Sequence, residues 1–422
     1  MEMLIPRIIM LITLVLMLSG KAPLYLTAIV GATVAALSAG FPLTGGADVT
    51  VARLLSAGLH GVIIDMLGVL LFIGVMEKAG FLNAIIIKIM HFGRKVGGGP
   101  GVCTVGGVSA GIIGGMTGFT QPAITAVITG PPAIELGVEK NKVAGVIAHA
   151  GTLGNFGGFT HPTLVAVMAT AGITFGLINV IGIVVGLSIF AASYLRLTRQ
   201  MKKEGVVVDK NAANNIKMET TDVPFLKAIF PFLILVVGFI AGIPIAMVGI
   251  LSAILAILLS DRDFIKGEKS MMEGLTRITV PLFATVAFLY MSAVINAIGM
   301  VAIVANLLEP YLAVAPILMM LLVSSVAGLL TQSNAAAAAI VVPFLTIVLA
   351  SGANPFAAAI AAAGGPAIMQ YYLTGGPVAA LSTVIPVIPG SDLKTANRFQ
   401  RPSILIGLLT LFVITLFLQI AV

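Results

Sequence analysis

Two stretches of this chain are apolar enough to lie in a membrane, yet residues that membrane helices avoid break them. Gly98 to Thr174 contains GMTGFTQPA and AGTLGNFGGFTHP, which place Gly, Pro, Thr, Asn, Gln and His at what would be mid-bilayer depth. Val314 to Ile385 repeats the pattern with GLLTQSNAA and, later, YLTGGP. Backbone that leaves the helix inside hydrocarbon loses hydrogen bonds, so it persists only where protein, water or a ligand satisfies it. Interruptions at corresponding places in two halves of a chain mark a transporter binding site near the bilayer midplane.

Composition sets the solvent for this argument. Of 422 residues, 59% are hydrophobic and 9% charged, with 47 glycines and a mean hydropathy of +1.13. The fold class that follows is an all-α polytopic membrane protein, because a β-barrel needs short alternating segments and this chain has long apolar runs. The net charge of +7 sits in short loops between apolar spans. It orients the chain in the bilayer and needs no nucleic acid. Cys103 is alone, which excludes an intrachain disulfide and a CxxC or zinc framework. Residues 1 to 20 resemble a signal peptide in length but lack a clear small-residue cleavage pattern, and read as a retained first helix.

In order, apolar runs predict helices at about 5–20, 22–40 and 57–78, then an amphipathic arm at 81–95 carrying Lys88, Arg94 and Lys95. A hairpin (98–137), a broken helix (142–170) and an unbroken helix (175–197) complete a first repeat, 1–197. A polar linker at 198–223 follows. The second repeat, 224–422, opens with helices 224–243 and 244–260, a charged loop (261–273), helix 276–298 and a second arm (299–312). It continues with a hairpin (313–350), a broken helix (355–385), a basic loop with Lys394, Arg398 and Arg401, and a last helix (402–421). MEKAGFLNAIIIKIM at 76–90 lies over INAIGMVAIVANLL at 295–308. If both hairpins are re-entrant, the loops rich in Lys and Arg all fall on the cytoplasmic side, as the positive-inside rule asks. The expected architecture is therefore two inverted repeats, each with a re-entrant helical hairpin and a broken transmembrane helix.

The breaks supply neutral donors and acceptors. The first tip offers Thr117, Gly118, Thr120 and Gln121; the second offers Thr331, Gln332, Ser333 and Asn334. The broken helices add Thr152, Asn155, Gly157, Thr160 and His161 in the first half, and Gln370, Thr374, Gly375 and Ser382 in the second. Helix N-termini exposed at such breaks carry partial positive charge and free N–H groups, which suit a carboxylate. Freed carbonyls with Ser, Thr and Asn oxygens suit a hard cation, here Na+ at Gly118, Thr152, Gly157, Ser333, Asn334 and Gly375. Asp65, within an apolar run, and His149 and His161 are candidates for carrying a proton. The scarcity of such groups favours Na+ over H+ as the coupling ion.

These residues resemble the ion transporter superfamily across nearly the whole chain. AGTLGNFGGFTHP, with VEKNKVAGV upstream, is similar to the large permease subunits of TRAP transporters, and FTHPTLVAVMATAGI resembles the His-Pro segment of the gluconate permease family. The chain departs from both the Ser-Asn-Thr tip of divalent-anion/Na+ symporters, having Ala335 after Ser333 and Asn334, and the double proline of TRAP subunits, having Gly375, Gly376 and Pro377. The resemblance implies transport of a small organic anion, mostly carboxylates, coupled to Na+ or H+ by an elevator movement, and a homodimer in the inner membrane. Two other readings stay open: the membrane subunit of a binding-protein-dependent system, and a cation/proton antiporter. Catalysis and ATP-driven transport rank low, since there is no HExxH, GxSxG or nucleotide loop, and no organic cofactor is implied.

Overall fold

In hydrocarbon every backbone group must be satisfied within its own segment, and the apolar runs of this chain accordingly fold as helices. A computed structural model describes residues 3–18, 22–56, 58–59, 61–117, 122–206, 221–276, 279–373 and 384–421. Leu4, Ile5, Leu11, Ile12, Leu405, Leu409 and Phe412 are exposed on helix faces. Apolar surface of that extent belongs against lipid, and the protein is an all-helical polytopic membrane protein.

The order of elements in the first half recurs in the second. Ile63–Lys78 turns through 77° into Phe81–Ile89, and Leu282–Ala297 turns through 77° into Met300–Leu312. Each bend sits on a left-handed glycine, Gly80 at φ +74° and Gly299 at φ +73°. A left-handed residue just past a helix end is the usual glycine stop signal, because a Cβ would clash there. The overlay of 76–90 on 295–308 aligns these two glycines, so the weak similarity in sequence marks a shared joint.

Each arm leads into a hairpin. In the first half, Phe81–Thr117 is interrupted at Gly97 and Gly98, and the return limb is Pro122–Glu135. In the second, Pro316–Thr331 is followed by Asn334–Ala350. Next come the broken helices. The first is Lys140–Ala148, Ala150–Gly157 and Pro162–Ala171; the second begins as Pro355–Met369. They are buried nearly throughout: Leu164 to Met168 and Ala357 to Ala363 are at 2% exposure or less. Small residues make this possible: Gly365 lies against Ser324 and Ser325, and Gly364 against Leu411. Such residues let membrane helices approach closely.

The halves also exchange partners. Gly61–Lys78 packs on Ile245–Leu259 through Gly68 and Gly249, and on Phe264–Thr276 through Gly74 and Gly274, while Thr279–Ala297 packs on Leu24–Ser38. The ends of the helices are tied together by Lys78–Glu273 at 2.6 Å and Lys142–Glu204 at 2.7 Å. Asp392 N–H donates to Asn141 Oδ1 at 2.7 Å.

Two expected loops are helical. Most of 261–273 belongs to the helix Phe264–Thr276, and Lys394, Arg398 and Arg401 belong to Leu393–Ala421. The cause is the same in both: Asp263 Oδ1 accepts from Lys266 N–H at 2.7 Å and Asp392 Oδ1 from Thr395 N–H at 2.9 Å. An aspartate N-cap starts a helix even where the following turn is charged. The unbroken helix is also longer than expected, running Leu177–Lys203.

Candidate functional site

Two helix starts converge where the breaks meet. Pro162–Ala171 begins with proline in its first turn, where a missing N–H costs nothing. His161 caps it, Nδ1 accepting from Thr163 N–H at 3.3 Å. Asn334–Ala350 begins at the second hairpin tip, where Ser333 Oγ accepts from Ala336 N–H at 3.2 Å. Asn334 joins the two. Its Nδ2 is 3.2 Å from His161 Nδ1, and its carbonyl accepts from Thr163 Oγ1 at 2.9 Å. Its N–H donates to Gln370 Oε1 at 2.9 Å. Thr163 N–H can only donate, so Nδ1 must present its lone pair. The neutral ring therefore carries its proton on Nε2 and receives the Asn334 amide as well.

The tip itself is constrained. Gln332 at φ +50° is the one non-glycine residue in the left-handed region among the described residues. Thr331 Oγ1 lies 2.8 Å from the Ala327 carbonyl and 3.0 Å from the Ser333 carbonyl, which share its one proton and shape the turn on either side of Gln332. Left-handed backbone at a residue with a long side chain is strain of the kind that collects at functional turns.

A second junction joins the broken helices. Asn155 Nδ2 donates to Tyr371 OH at 3.1 Å, and Gly151 leaves room for that ring. The Tyr371 carbonyl accepts from Asn397 Nδ2 at 2.8 Å and Gln400 Nε2 at 3.1 Å. The first hairpin reaches the break too: the Gly115 carbonyl accepts from Phe159 N–H at 2.7 Å and lies 3.4 Å from Thr160 Oγ1. Gly157 faces away, against Ile183, and lines an apolar cavity of about 360 Å³. Of the buried side-chain oxygens that lack a protein partner among the described residues, Asn334 Oδ1 and Thr152 Oγ1 lie on these elements.

The structure thus gathers Asn155, Thr160, His161, Thr331, Gln332, Ser333, Asn334 and Gln370 around the breaks. Thr117 ends the first hairpin's outgoing limb. Gly118, Thr120, Gln121, Thr374, Gly375 and Ser382 lie outside the described residues. Asp65 and His149 sit elsewhere. Asp65 Oδ1 accepts from Ala246 N–H at 3.2 Å, at the start of the helix Ile245–Leu259. His149 Nε2 is 2.7 Å from Ser193 Oγ, which bonds Ser403 Oγ at 2.8 Å. Sequence reasoning missed Thr163, Tyr371, Asn397 and Gln400. Thr163 carried a signal, as the hydroxyl two residues past a cap; Tyr371 reads as an ordinary core aromatic.

No protein-family model matches the sequence, and no curated protein matches it. Solved structures do resemble it. The YdaH transporter of Alcanivorax borkumensis, described as having an unusual topology, matches with a TM-score of 0.58 at 15% identity, over 88% of each chain. MtrF of Neisseria gonorrhoeae, described as illuminating a class of antimetabolite efflux pumps, matches with a TM-score of 0.58 at 13% identity, over 94% of this chain and 95% of that one. These neighbours are membrane transporters and not TRAP or gluconate permeases, so what carries over from the sequence resemblance is its coarser part: the chain has a transporter fold.

Proposed function

We propose that the chain is an ion-coupled secondary active transporter of a small organic anion, a carboxylate, in the cell inner membrane. The observation that carries this reading is the meeting of two helix N-termini, Pro162–Ala171 and Asn334–Ala350, pinned through the Asn334–His161 contact. Each N-terminus presents roughly half a positive charge, and the side-chain caps that His161, Ser333 and Gln370 place on Thr163, Ala336 and Asn334 N–H are ones a carboxylate can replace, which favours the anion without an arginine. Thr160, Thr331, Ser333, Asn155 and Gln370 add neutral hydrogen-bonding groups, with Thr117, Thr120, Gln121 and Thr374 joining them by position in the sequence. The buried oxygens of Asn334 and Thr152 suit a hard cation, and Na+ beside the anion would offset its charge.

In this reading the two halves, 1–197 and 224–422, are inverted repeats joined by the 198–223 linker. Hairpins and broken helices form the moving body and the bent helices the frame, an elevator in a homodimer. The reading keeps the likeness to the ion transporter superfamily carried by AGTLGNFGGFTHP. A second reading is export by antiport, favoured by the fold shared with MtrF; it uses the same site and reverses the direction of the coupled flux.

The test is uptake of radiolabelled C3 to C6 carboxylates into proteoliposomes under imposed Na+ or pH gradients, for the wild type and Asn334→Ala. Saturable uptake driven by an inward gradient and lost in the variant supports symport. Uptake only against an opposing proton gradient supports the antiport reading. No gradient-driven movement of any acid would sink both.

A further inference from the structure

The helices Leu177–Lys203 and Leu393–Ala421 pass the length and hydropathy requirements of a membrane span on their own. The first is uncharged from Leu177 to Leu195 and the second from Pro402 to Ala421. At 1.5 Å per residue each uncharged run is about 30 Å long, the thickness of the hydrocarbon core. Arg196 and Arg401 therefore mark the depth at which lipid headgroups begin.

Between the two helices at that depth lies a cleft of about 450 Å³, lined by Ala192, Leu195 and Ile406 on its apolar side and by Arg196, Arg199 and Lys203 on the other. The three cations recur at a helical spacing that keeps them on one face. Among the described residues no carboxylate forms an ion pair with any of them; the ion pairs involve Lys78, Lys142, Lys227 and Lys266. Arg196 is spoken for, donating to the Phe399 carbonyl and stacking 4.8 Å from that ring's centroid. Arg401 is likewise held by Asn397 Oδ1 at 2.8 Å. Arg199 and Lys203 are exposed and remain to bind.

We infer that this cleft binds one anionic phospholipid, its phosphate on Arg199 and Lys203 beside Arg196 and an acyl chain against Ala192, Leu195 and Ile406. A basic rim over an apolar floor at headgroup depth matches that ligand in both charge and polarity. A soluble anion would use the rim and leave the floor bare. The site bears on the breaks because its floor abuts the Ser403–Ser193–His149 chain, which reaches the first broken helix. Asn397 and Gln400, a few residues along the same helix, hold the Tyr371 carbonyl. A lipid bracing these two helices stiffens the wall on which Tyr371 and Asn155 meet.

The experiment is native mass spectrometry of the full-length protein titrated with dioleoylphosphatidylglycerol, with phosphatidylcholine and inorganic phosphate as competitors. The readout does not depend on transport. Comparison is with Arg199→Gln/Lys203→Gln in the cleft and Lys140→Gln/Lys269→Gln outside it. Phosphatidylglycerol should be retained over phosphatidylcholine by the wild type and the outside pair. Retention should weaken about fivefold per cation removed in the cleft, on the order of 25-fold for the pair. Equal retention of the two lipids by the wild type, equal loss in both pairs, or displacement by inorganic phosphate would each overturn the proposal. If the cleft pair does not fold, Arg199→Gln alone and the wild-type lipid comparison still decide it.

Discussion

The first half meets the site with a wall and the second with a latch. At the first break the ties end on main-chain carbonyls: Gly115 takes Phe159 N–H, and Gly158 takes Asn179 Nδ2. A Cβ on Gly158 would overlap the backbone of Gly154 and Gly115. At the second tip the ties across to the rest of the protein run through the side chains of His161, Thr163 and Gln370, all to Asn334. Interfaces of backbone and small residues move as one body, whereas a few side-chain hydrogen bonds, each worth about 1 kcal/mol net, can exchange for ligand or water. The first break is thus the part of the site that holds its shape, and the second tip the part whose contacts a ligand can replace.

Gly158→Ala is the strongest way to break that contrast. The added methyl meets main chain on both sides, so relief requires separating the first hairpin from the break. We expect a loss of at least about 3 kcal/mol, at the upper end of overpacking costs, seen as failure to recover monodisperse protein. Gly172→Ala is the control. Its φ of +66° is left-handed but nothing crowds a Cβ there, and it should cost only about 1–2 kcal/mol. Similar behaviour of the two variants would mean that the wall is not a wall.

Asn334→Ala tests the latch. It removes the amide from His161 Nδ1 and leaves the two main-chain contacts of residue 334 in place. The expected loss in binding of the proposed carboxylate substrate is about 1–3 kcal/mol, roughly 5- to 150-fold in apparent affinity, with little change in melting temperature. A large fall in stability with unchanged affinity would turn the latch into a structural strut.

A second pair of variants probes the same contact from its other side. Nδ1 of His161 accepts from both Thr163 N–H and Asn334 Nδ2. His161→Gln keeps an acceptor on that side chain and should hold substrate affinity to within about threefold, while His161→Leu removes it and should lose about 1–3 kcal/mol, roughly 5- to 150-fold in apparent affinity. Equal affinity in the two variants would take tip closure away from the ring nitrogen.

Much of this arrangement is legible in the sequence because membrane folding leaves few options. The interruption at GLLTQSNAA had to be a turn, and the overlay of Gly80 on Gly299 located a joint that the structure repeats to within a degree in φ. His161 and Asn334 stood out as polar groups at breaks, and they touch. What stayed hidden depends on contacts distant in sequence or on local capping. Tyr371 matters through Asn155, more than two hundred residues away, and nothing near it distinguishes it from a packing aromatic. Asp263 and Asp392 looked like loop charges, since charge was read as a sign of solvent; the same carboxylates are helix starts. Asp65 shows the converse. An acid in an apolar run suggested proton transfer; the structure adds that its Oδ1 receives a first-turn N–H, that of Ala246, from a neighbouring helix, a contact with no local signature.

The smallest expected effect sharpens the contrast most finely. Gln332 holds a left-handed backbone that costs a side-chain-bearing residue about 1–2 kcal/mol. Glycine adopts it freely but loses about 0.5–1 kcal/mol more chain entropy on folding. Gln332→Gly should therefore leave stability within about 1 kcal/mol of the wild type, a shift in melting temperature on the order of one degree or two for a chain of this size. The informative readout is exchange of bound substrate. If the strained turn helps the tip to open, relaxing it slows release, and countertransport falls while equilibrium affinity holds or rises. Faster exchange with weaker binding would instead show that the Gln332 side chain, and not its backbone, keeps the tip closed.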